Sequence, residues 1–389
     1  MDATATGGFL RFFRDVPDPR TGNFITHKLH DLIVIAVLAV ICGADGWTQV
    51  AFWSRCKAKW LRTFLDLPGG IPSHDTFSRV FSLLDPDAFE RCFLNWMASV
   101  VELSAGRLVS IDGKAIRRSF EHGWDKSGMT HLVSAFVSQG DNRLVFSQLA
   151  VEDKSNEITA IAKLLELLDL NGAIVTIDAI GCQREVAAKT IGGGGDYVLP
   201  VKENQPNLLD KTQALLKDAV LDHAKGIDDG TRVGFFEQGE SGHGRVETRR
   251  VWVIDEIHWL GEDLLTLWPG LSSIALVERT RHNLGDYSGK VSIERQVYIS
   301  SLKGIDASRI ASAVRGHWAV ENNLHWQLDV SFAEDQARTR TGHAAENYSR
   351  LCRIALNLLK RNTSKKAGIK TKRLIAGWDH DYLLQLISQ

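Results

Sequence analysis

Two short segments that end in an aspartate carry the residues best suited to chemistry. Residues 109–112 and 175–178 each have the pattern of a buried strand that stops at a carboxylate, Asp112 in the first and Asp178 in the second. A parallel or mixed sheet delivers the last side chain of each strand to one edge, so the two aspartates are expected to lie close together. Paired carboxylates there could share divalent cations. The alternative is that each aspartate only caps a following helix.

A third carboxylate is available in the amphipathic, helix-compatible stretch from about 307 to 327, where Glu321 follows His317 by four positions. Hard oxygen ligands from separate elements suit Mg²⁺ or Mn²⁺. Two such ions, roughly 3.5–4 Å apart, can activate the attacking oxygen and stabilise the leaving oxygen of a phosphodiester. Asp112, Asp178 and Glu321 are therefore predicted as catalytic residues and metal ligands.

The order of elements around the aspartates predicts an α/β fold with an RNase H-like catalytic domain. Hydrophobic periodicity changes to two after about residue 105. Three strands, a helix, a strand, a helix and a strand are predicted at about 107–112, 130–138, 143–151, 157–168, 173–178, 183–191 and 197–201. In the RNase H-like fold the first and fourth strands are neighbours, which would bring Asp112 and Asp178 side by side.

The flanking sequence predicts three further parts. Apolar spacings of three and four indicate an all-α N-terminal domain over 1–104, to which the resemblance given below assigns the recognition of DNA ends. The catalytic domain would span 105–362 and contain a β-rich insertion at about 230–301. Residues 363–389 are predicted as a basic C-terminal tail, and the run from Arg338 to Arg373 holds eleven basic residues against one acidic residue. Such a run could dock a phosphate backbone, or be only a solvated helix and a loose tail.

Composition excludes several classes of protein. The chain has 389 residues, a formal net charge of −1 and five scattered cysteines without a C-x-x-C pair, so neither a disulfide framework nor a zinc site is indicated. The longest apolar run, Leu32 to Cys42, is well short of the ~20 residues that cross a bilayer and predicts a buried helix without membrane association. The N-terminus lacks an export signal. The expected location is cytoplasmic, in association with the nucleoid.

The motifs, taken together, resemble the insertion-sequence DDE transposases, and within them the H-repeat-associated protein family. The resemblance covers roughly residues 10 to 362. It rests on Asp18-Pro19-Arg20, His30 to Gly43, Gly70 to Phe77, Asp112-Gly113-Lys114, Asp178-Ala179 with Gln183, Lys202 with Asn204-Gln205, His243-Gly244-Arg245 with Glu247 and Arg249, His317-Trp318 with Glu321-Asn322, Leu324-His325-Trp326, Leu328-Asp329-Val330, Phe332, Glu334-Asp335 and Ala345-Glu346-Asn347.

The resemblance implies a transposase that uses Mg²⁺ to cleave double-stranded DNA at its element's ends and to join the freed 3′ hydroxyls to target DNA. Asp112, Asp178 and Glu321 fall on the triad positions, and a homodimer on DNA is the expected assembly. Wider insertion-sequence transposases carry a Tyr, an Arg and a Lys around the Glu. This chain has Val314, His317 and Leu328 at those positions. The rivals to Glu321 as third ligand are Asp329, Glu334 and Asp335.

Basic and polar residues near the predicted edge are candidates for DNA binding, where cations would offset charge in the transition state. For Lys202, Asn204 and Gln205 the alternative is support of the metal ligands, and for the others it is an exposed turn, a hairpin or a packed helix face. The candidates are Lys114, Arg117, Lys202, Asn204, Gln205, His243, Arg245, Arg315, His317 and His325. Two other functions remain open: an RNase H-like nuclease without strand transfer, and a domesticated DNA-binding protein without catalysis.

Overall fold

The computed structural model describes residues 8–22, 25–101, 106–119, 129–139, 142–151, 156–226, 232–242, 244–284 and 291–389. The chain divides into two units. The first unit comprises residues 1–103, 113–157 and 320–389, and the second unit comprises residues 104–112 and 158–319.

The described strands form a mixed sheet in the order β3-β2-β1-β4-β5-β9-β8-β7-β6. Strand β1 pairs in parallel with β4, and β4 pairs in parallel with β5. The neighbours from β5 to β6 along the sheet, and the pair β2–β3, are antiparallel. The bounds are β1 Leu108–Ala115, β2 His131–Gln139, β3 Asn142–Val151, β4 Ile174–Ile177, β5 Asp196–Val201, β6 Val233–Gly242, β7 Arg245–Ile254, β8 Ser273–Asn283 and β9 Val291–Ser300.

The predicted β-rich insertion is an extension of this sheet. Residues 297–300 of β9 pair with 198–201 of β5, and β8, β7 and β6 follow by antiparallel pairing. The sequence predicts strands in this insertion at about 232–236, 245–254, 272–279 and 291–300, with a turn at 284–286. The observed strands lie within a few residues of the predicted ones, except that β6 continues to Gly242. Strand β1 continues past Asp112 to Ala115, and the predicted turn falls partly outside the described residues.

The second unit packs helices on this sheet. They are α6 Glu157–Leu167, whose first residue belongs to the first unit, α7 Arg184–Gly192, α8 Pro206–Lys225, α9 Glu262–Leu267 and α10 Ala307–Val320, whose last residue belongs to the first unit. The apolar face of α10, including Ile310 and Ala313, shares a core with Leu108, Ile174 and Val253. Helix α8 was not predicted, although it begins with a proline in its first turn and ends at Gly226 in the left-handed region, both ordinary helix boundaries.

The first unit is built around two buried helices. Its helices are α1 Leu29–Ile41, α2 Trp47–Cys56, α3 Ala58–Leu61, α4 His74–Leu83, α5 Pro86–Val100, α11 Ala344–Arg361, α12 Ile369–Trp378 and α13 His380–Ile387. Helix α1 packs on α11, and its residues from Leu32 to Ile41 are fully buried, which confirms the prediction of a buried helix. Among the described residues, no helix is long and apolar enough to cross a membrane.

The basic run from 338 to 373 is not the exposed basic surface that its sequence suggests. Arg350 is completely buried and pairs with Glu90 (2.6 Å) and Glu346 (3.1 Å). Four further basic residues of the run are largely removed from solvent and donate to carboxylates or backbone carbonyls: Arg353, Lys360, Lys372 and Arg373. The prediction of a phosphate-docking face is wrong for these five residues. The predicted tail, 363–389, contains the two helices α12 and α13.

Lys360 is a buried amine with a measurable consequence for stability. Its ammonium donates to the carbonyls of Arg143 (2.9 Å) and Asn323 (2.7 Å), and burial lowers its pKa to about 7. The unfolded chain therefore binds a proton that the folded chain does not between about pH 7 and the usual lysine pKa near 10.4, so stability should rise with pH across this window. Chemical denaturation at pH 7 and pH 9 should show that increase in wild type and a smaller one in Lys360→Met. Equal increases in the two proteins would contradict the assignment.

Candidate active site

Asp112 and Asp178 follow the paired ends of two neighbouring parallel strands. Ile111 of β1 is in register with Ile177 of β4, and each aspartate comes one residue later. One layer below, the hydroxyl of Thr176 donates to the hydroxyl of Ser110 (3.0 Å), and both residues are buried. Side chains alternate along a strand, so the hydroxyls and the aspartates belong to the same face of the sheet.

The carboxylate of Asp178 carries an electrostatic signature of this pairing. The residue is exposed, but its surroundings partly desolvate the carboxylate, and this raises the pKa of Asp178 above its usual value. The negative charge of Asp112 raises this pKa further. Backbone N–H groups of Gly181 and Ile180 and the nearby His317 act in the opposite direction. Two carboxylates that oppose each other's ionisation would be stabilised by a cation between them.

The turn after Asp178 is held by residues predicted as DNA contacts. A 3₁₀ turn, Ala179–Gly181, begins directly after Asp178, whose side chain makes no capping hydrogen bond. Asn204 donates through Nδ2 to the carbonyl of Ala179 (2.9 Å), and Gln205 donates through Nε2 to the carbonyl of Cys182 (3.0 Å). Asn204 and Gln205 thus support the backbone that presents Asp178. Lys202, which was predicted as a DNA contact together with them, is exposed.

His317 of α10 belongs to the same polar layer. Its Nδ1 lies 3.2 Å from the Thr176 hydroxyl oxygen. Thr176 therefore links His317 to Ser110 within this layer. Sequence reasoning identified His317 but missed Ser110 and Thr176. The available signal was a hydroxyl two positions before each aspartate.

Gly316 allows α10 to approach the strands closely enough for this contact. A Cβ at position 316 would overlap Cδ2 of Leu108 at the start of β1. We expect Gly316→Ala to destabilise the second unit by about 1–3 kcal/mol through overpacking. Urea denaturation followed by tryptophan fluorescence should report the loss. Leu108→Ala is itself destabilising, so the test is a double-mutant cycle, in which Gly316→Ala should cost less stability in the Leu108→Ala background than in wild type. An equal cost in the two backgrounds would contradict the assigned overlap.

Glu321 belongs to the first unit, where it begins a π-helical turn, Glu321–His325. It is exposed, and a second π-helical turn, Gln327–Ser331, follows. Single π-helical turns are rare and occur frequently at functional sites. His325, another predicted contact, is half-buried in the first of these turns. The assignment of Glu321 as third ligand stays a prediction.

The carboxylates considered as alternatives to Glu321 form ion pairs with cations of the first unit. Glu334 is buried and pairs with Arg353 (2.8 Å) and Lys114 (3.0 Å). Burial alone would raise its pKa, but these positive charges outweigh burial and lower the pKa of Glu334 to about 2. Asp329 pairs with Lys114, and Asp335 lies 3.3 Å from Arg117.

Lys114 is therefore paired with carboxylates of the protein, and its positive charge is not left unmatched for a phosphate. Its side chain is only 10% exposed and contacts both Asp329 and Glu334. Burial of the ammonium lowers its pKa, but the two negative charges outweigh this effect and the pKa of Lys114 is raised. Arg117, by contrast, is 80% exposed.

Most arginines of the extended sheet are paired with glutamates, but the predicted DNA contacts in this region differ from one another. Arg315 pairs with Glu240, while Arg245 is exposed at the start of β7. His243 lies outside the described residues. A ladder of arginines on β7, β8 and β9 is paired with glutamates: Arg249, Arg279 and Arg281 with Glu247, and Arg250 and Arg295 with Glu278. Of the tryptophans in the predicted insertion, Trp252 and Trp268 are buried, and Trp259 is exposed.

The metal donors that the second unit offers at this edge of the sheet are two carboxylates. Within the part of the chain that the structure describes, no three His, Cys, Asp or Glu side chains come together as a metal-binding group. The pair Asp112 and Asp178 nevertheless has the chemistry that Mg²⁺ or Mn²⁺ prefers, since both offer carboxylate oxygens and the negative charge of Asp112 acts on Asp178.

Comparison with known proteins shows which family models and relatives the chain matches. Residues 104–358 match the family model described as transposase DDE domain, and residues 10–97 match the one described as DDE_Tnp_1-associated. The putative transposase YncI of Escherichia coli O157:H7 is 38% identical over 97% of this chain and 94% of its own length. The H repeat-associated putative transposase YhhI of Escherichia coli K12 is 36% identical over 96% of each chain. A short relative from K12, named inactive transposase YbfQ, is 38% identical over 17% of this chain and 79% of its own length.

Proposed function

Because the chain belongs to the transposase DDE domain family and has H repeat-associated relatives, we propose that it cleaves the ends of its own insertion sequence and joins the freed 3′ hydroxyls to target DNA. The observation that carries this proposal is that Asp112 and Asp178 each come directly after the residues at which β1 and β4 pair, and that the charge of Asp112 raises the pKa of Asp178. We infer that β1 to β5 form an RNase H-like domain, because their order in the sheet, 3-2-1-4-5, is the order expected of that fold.

In this proposal Asp112 and Asp178 hold Mg²⁺ or Mn²⁺, and Glu321 completes the ligand set. Bound metal would activate the attacking oxygen and stabilise the leaving oxygen of the phosphodiester. The oxygen ligands are hard and come from separate strands, which fits a site that must leave room for phosphate oxygens.

The surrounding residues position this pair and receive the DNA. Asn204 and Gln205 fix the turn after Asp178, and His317 connects α10 to the Thr176–Ser110 layer. Arg117, Lys202 and Arg245 are exposed cations and remain proposed contacts to double-stranded DNA at the element ends and in the target. A homodimer would pair the two ends.

The experiment that tests the function uses labelled duplexes carrying the sequences that flank the gene, incubated with supercoiled target DNA and either Mg²⁺ or EDTA. A transposase gives metal-dependent cleavage and 3′ ends covalently joined to the target. Cleavage without joined product would identify a nuclease. Binding without cleavage in either condition would identify a DNA-binding protein and overturn the proposed chemistry.

A further inference from the structure

Exposed cations of the first unit form a regular stripe on α2 and α3. Arg55, Lys59 and Arg62 follow one another at spacings of four and three, and all three are exposed. Helices α2 and α3 meet at Lys57, whose backbone departs from helical geometry (φ −98°, ψ 9°). The Lys57 N–H still donates to the Trp53 carbonyl, and the Leu61 N–H donates to the Lys57 carbonyl. Arg55 lies on α2 before this junction, Lys59 lies on α3, and Arg62 directly follows α3. We call Arg55, Lys59 and Arg62 the basic stripe.

The basic stripe differs from the arginines of the extended sheet in its lack of carboxylate partners. Across the described ranges, no Asp or Glu lies within ion-pair distance of Arg55, Lys59 or Arg62, whereas the ladder on β7, β8 and β9 is matched by glutamates. Arg55 instead lies over the ring of Phe52 (5.5 Å), three residues earlier on the same face, and Phe52 is 58% exposed. Exposed positive charge without a carboxylate partner is therefore present at Arg55, Lys59 and Arg62.

The corner between α12 and α13 adjoins the stripe and adds an exposed aromatic residue. Lys57 donates to the carbonyl of Gly377 (3.2 Å) and lies 2.8 Å from Nε2 of His380, whose ring stacks on Trp60 at 4.7 Å. Trp378, between them, is 75% exposed. The carboxylate of Asp379 at this corner accepts from the backbone N–H groups that begin α13, so it is engaged in capping that helix.

From these observations we propose that the basic stripe, together with Lys57 and the exposed Trp378, is a docking surface for the phosphate backbone of double-stranded DNA. The stripe spans residues 55 to 62, about 10 Å at the helical rise of 1.5 Å per residue. Duplex DNA presents one negative charge per ~1.7 Å of its axis, so several phosphates lie within reach of three cations. The inference rests on the proposed DNA substrate and adds where the first unit contacts it.

The test is the salt dependence of binding to a fluorescent duplex that carries the flanking sequences, measured by anisotropy between about 50 and 200 mM KCl. The variant is Arg55→Gln, Lys59→Gln and Arg62→Gln together. The matched control replaces three exposed lysines of the second unit, Lys163, Lys217 and Lys225, by glutamine. Glutamine has a helix propensity close to that of Lys and Arg, so both proteins should remain folded, which circular dichroism checks.

Each lost phosphate contact should reduce the slope of log K against log salt by about 0.9, so the stripe variant should lose roughly 2–3 in slope while the control keeps the wild-type value. An unchanged slope in the stripe variant overturns the docking surface even if wild type binds and cleaves. An unchanged slope with an altered sedimentation coefficient would assign the face to a protein partner and equally overturn it. Wild type with no salt-dependent affinity would contradict the proposed function itself.

A second readout is local. Cys56 is exposed and lies next to Arg55. Bound duplex should slow its alkylation by a maleimide, detected by mass spectrometry of the peptide that contains it. The protection should be absent in the stripe variant. An alkylation rate that DNA leaves unchanged in wild type, at concentrations that saturate the anisotropy signal, counts against the surface.

Discussion

Replacing Asp178 by asparagine is expected to reduce DNA cleavage by at least about 100-fold, more than the roughly 10–100-fold typical of residues that only support metal ligands. The substitution preserves the size of the side chain and removes the charge that faces Asp112. Asp112→Asn should have an effect of the same order, because either change leaves one carboxylate of the pair. Cleavage of the intact flanking duplex, with binding measured on the same samples, separates chemistry from affinity.

The control for this pair is Asp218→Asn, an exposed carboxylate on α8 remote in sequence from both strands. Cleavage by this variant should equal wild type. Glu321→Gln belongs in the same series: a comparable loss supports it as third ligand, and full activity would place that ligand elsewhere. If Asp178→Asn and Asp112→Asn both cleaved at the wild-type rate, the proposed catalytic pair would be wrong.

Replacing Arg353 by methionine is expected to destabilise the first unit by about 3–5 kcal/mol, the usual cost of removing one partner of a buried ion pair. Arg353 and Glu334 are almost fully buried, and the carboxylate also accepts from Ser349 (2.5 Å). Without Arg353, Glu334 stays buried with Lys114 as its remaining cation. Urea unfolding monitored by circular dichroism measures the loss, with Lys366→Met on the exposed surface as control.

The pH dependence of the same pair follows from the pKa of Glu334, which is lowered to about 2. A carboxyl with a depressed folded-state pKa contributes stability above its unfolded value near 4.3 and loses that contribution as pH falls towards 2. The stability difference between wild type and Glu334→Gln should therefore shrink between about pH 4.3 and pH 2. A difference that stays constant over this range would contradict the buried ion pair.

The strands that carry Asp112 and Asp178 could be predicted because local pattern determines them. A short apolar run followed by an aspartate is compatible with few structures. The order of the surrounding elements then predicts that the two runs are neighbouring strands, as observed. Helix α8 was missed although its boundary residues, Pro206 and Gly226, are ordinary signals. Its amphipathic pattern lies between two stretches of strand character and received no prediction.

Charge compensation could not be predicted, because the partners are far apart in sequence. Lys114 follows the first aspartate and therefore suggested a phosphate contact, but its partners are some 215 residues later in the chain. Arg350 finds Glu90 in the same way. The closeness of Gly316 to Leu108 is likewise a tertiary fact, since a glycine within a helix has several explanations from sequence alone.

The proposed metal site of Asp112 and Asp178 can be tested without any assumption about the DNA sequence. The measurement is Mn²⁺ binding followed by electron paramagnetic resonance. Titration of wild type should remove the free Mn²⁺ signal as the ion binds. The double variant Asp112→Asn with Asp178→Asn should leave the signal of the free ion, and Asp218→Asn should match wild type. Equal Mn²⁺ binding by wild type and the double variant would contradict the claim.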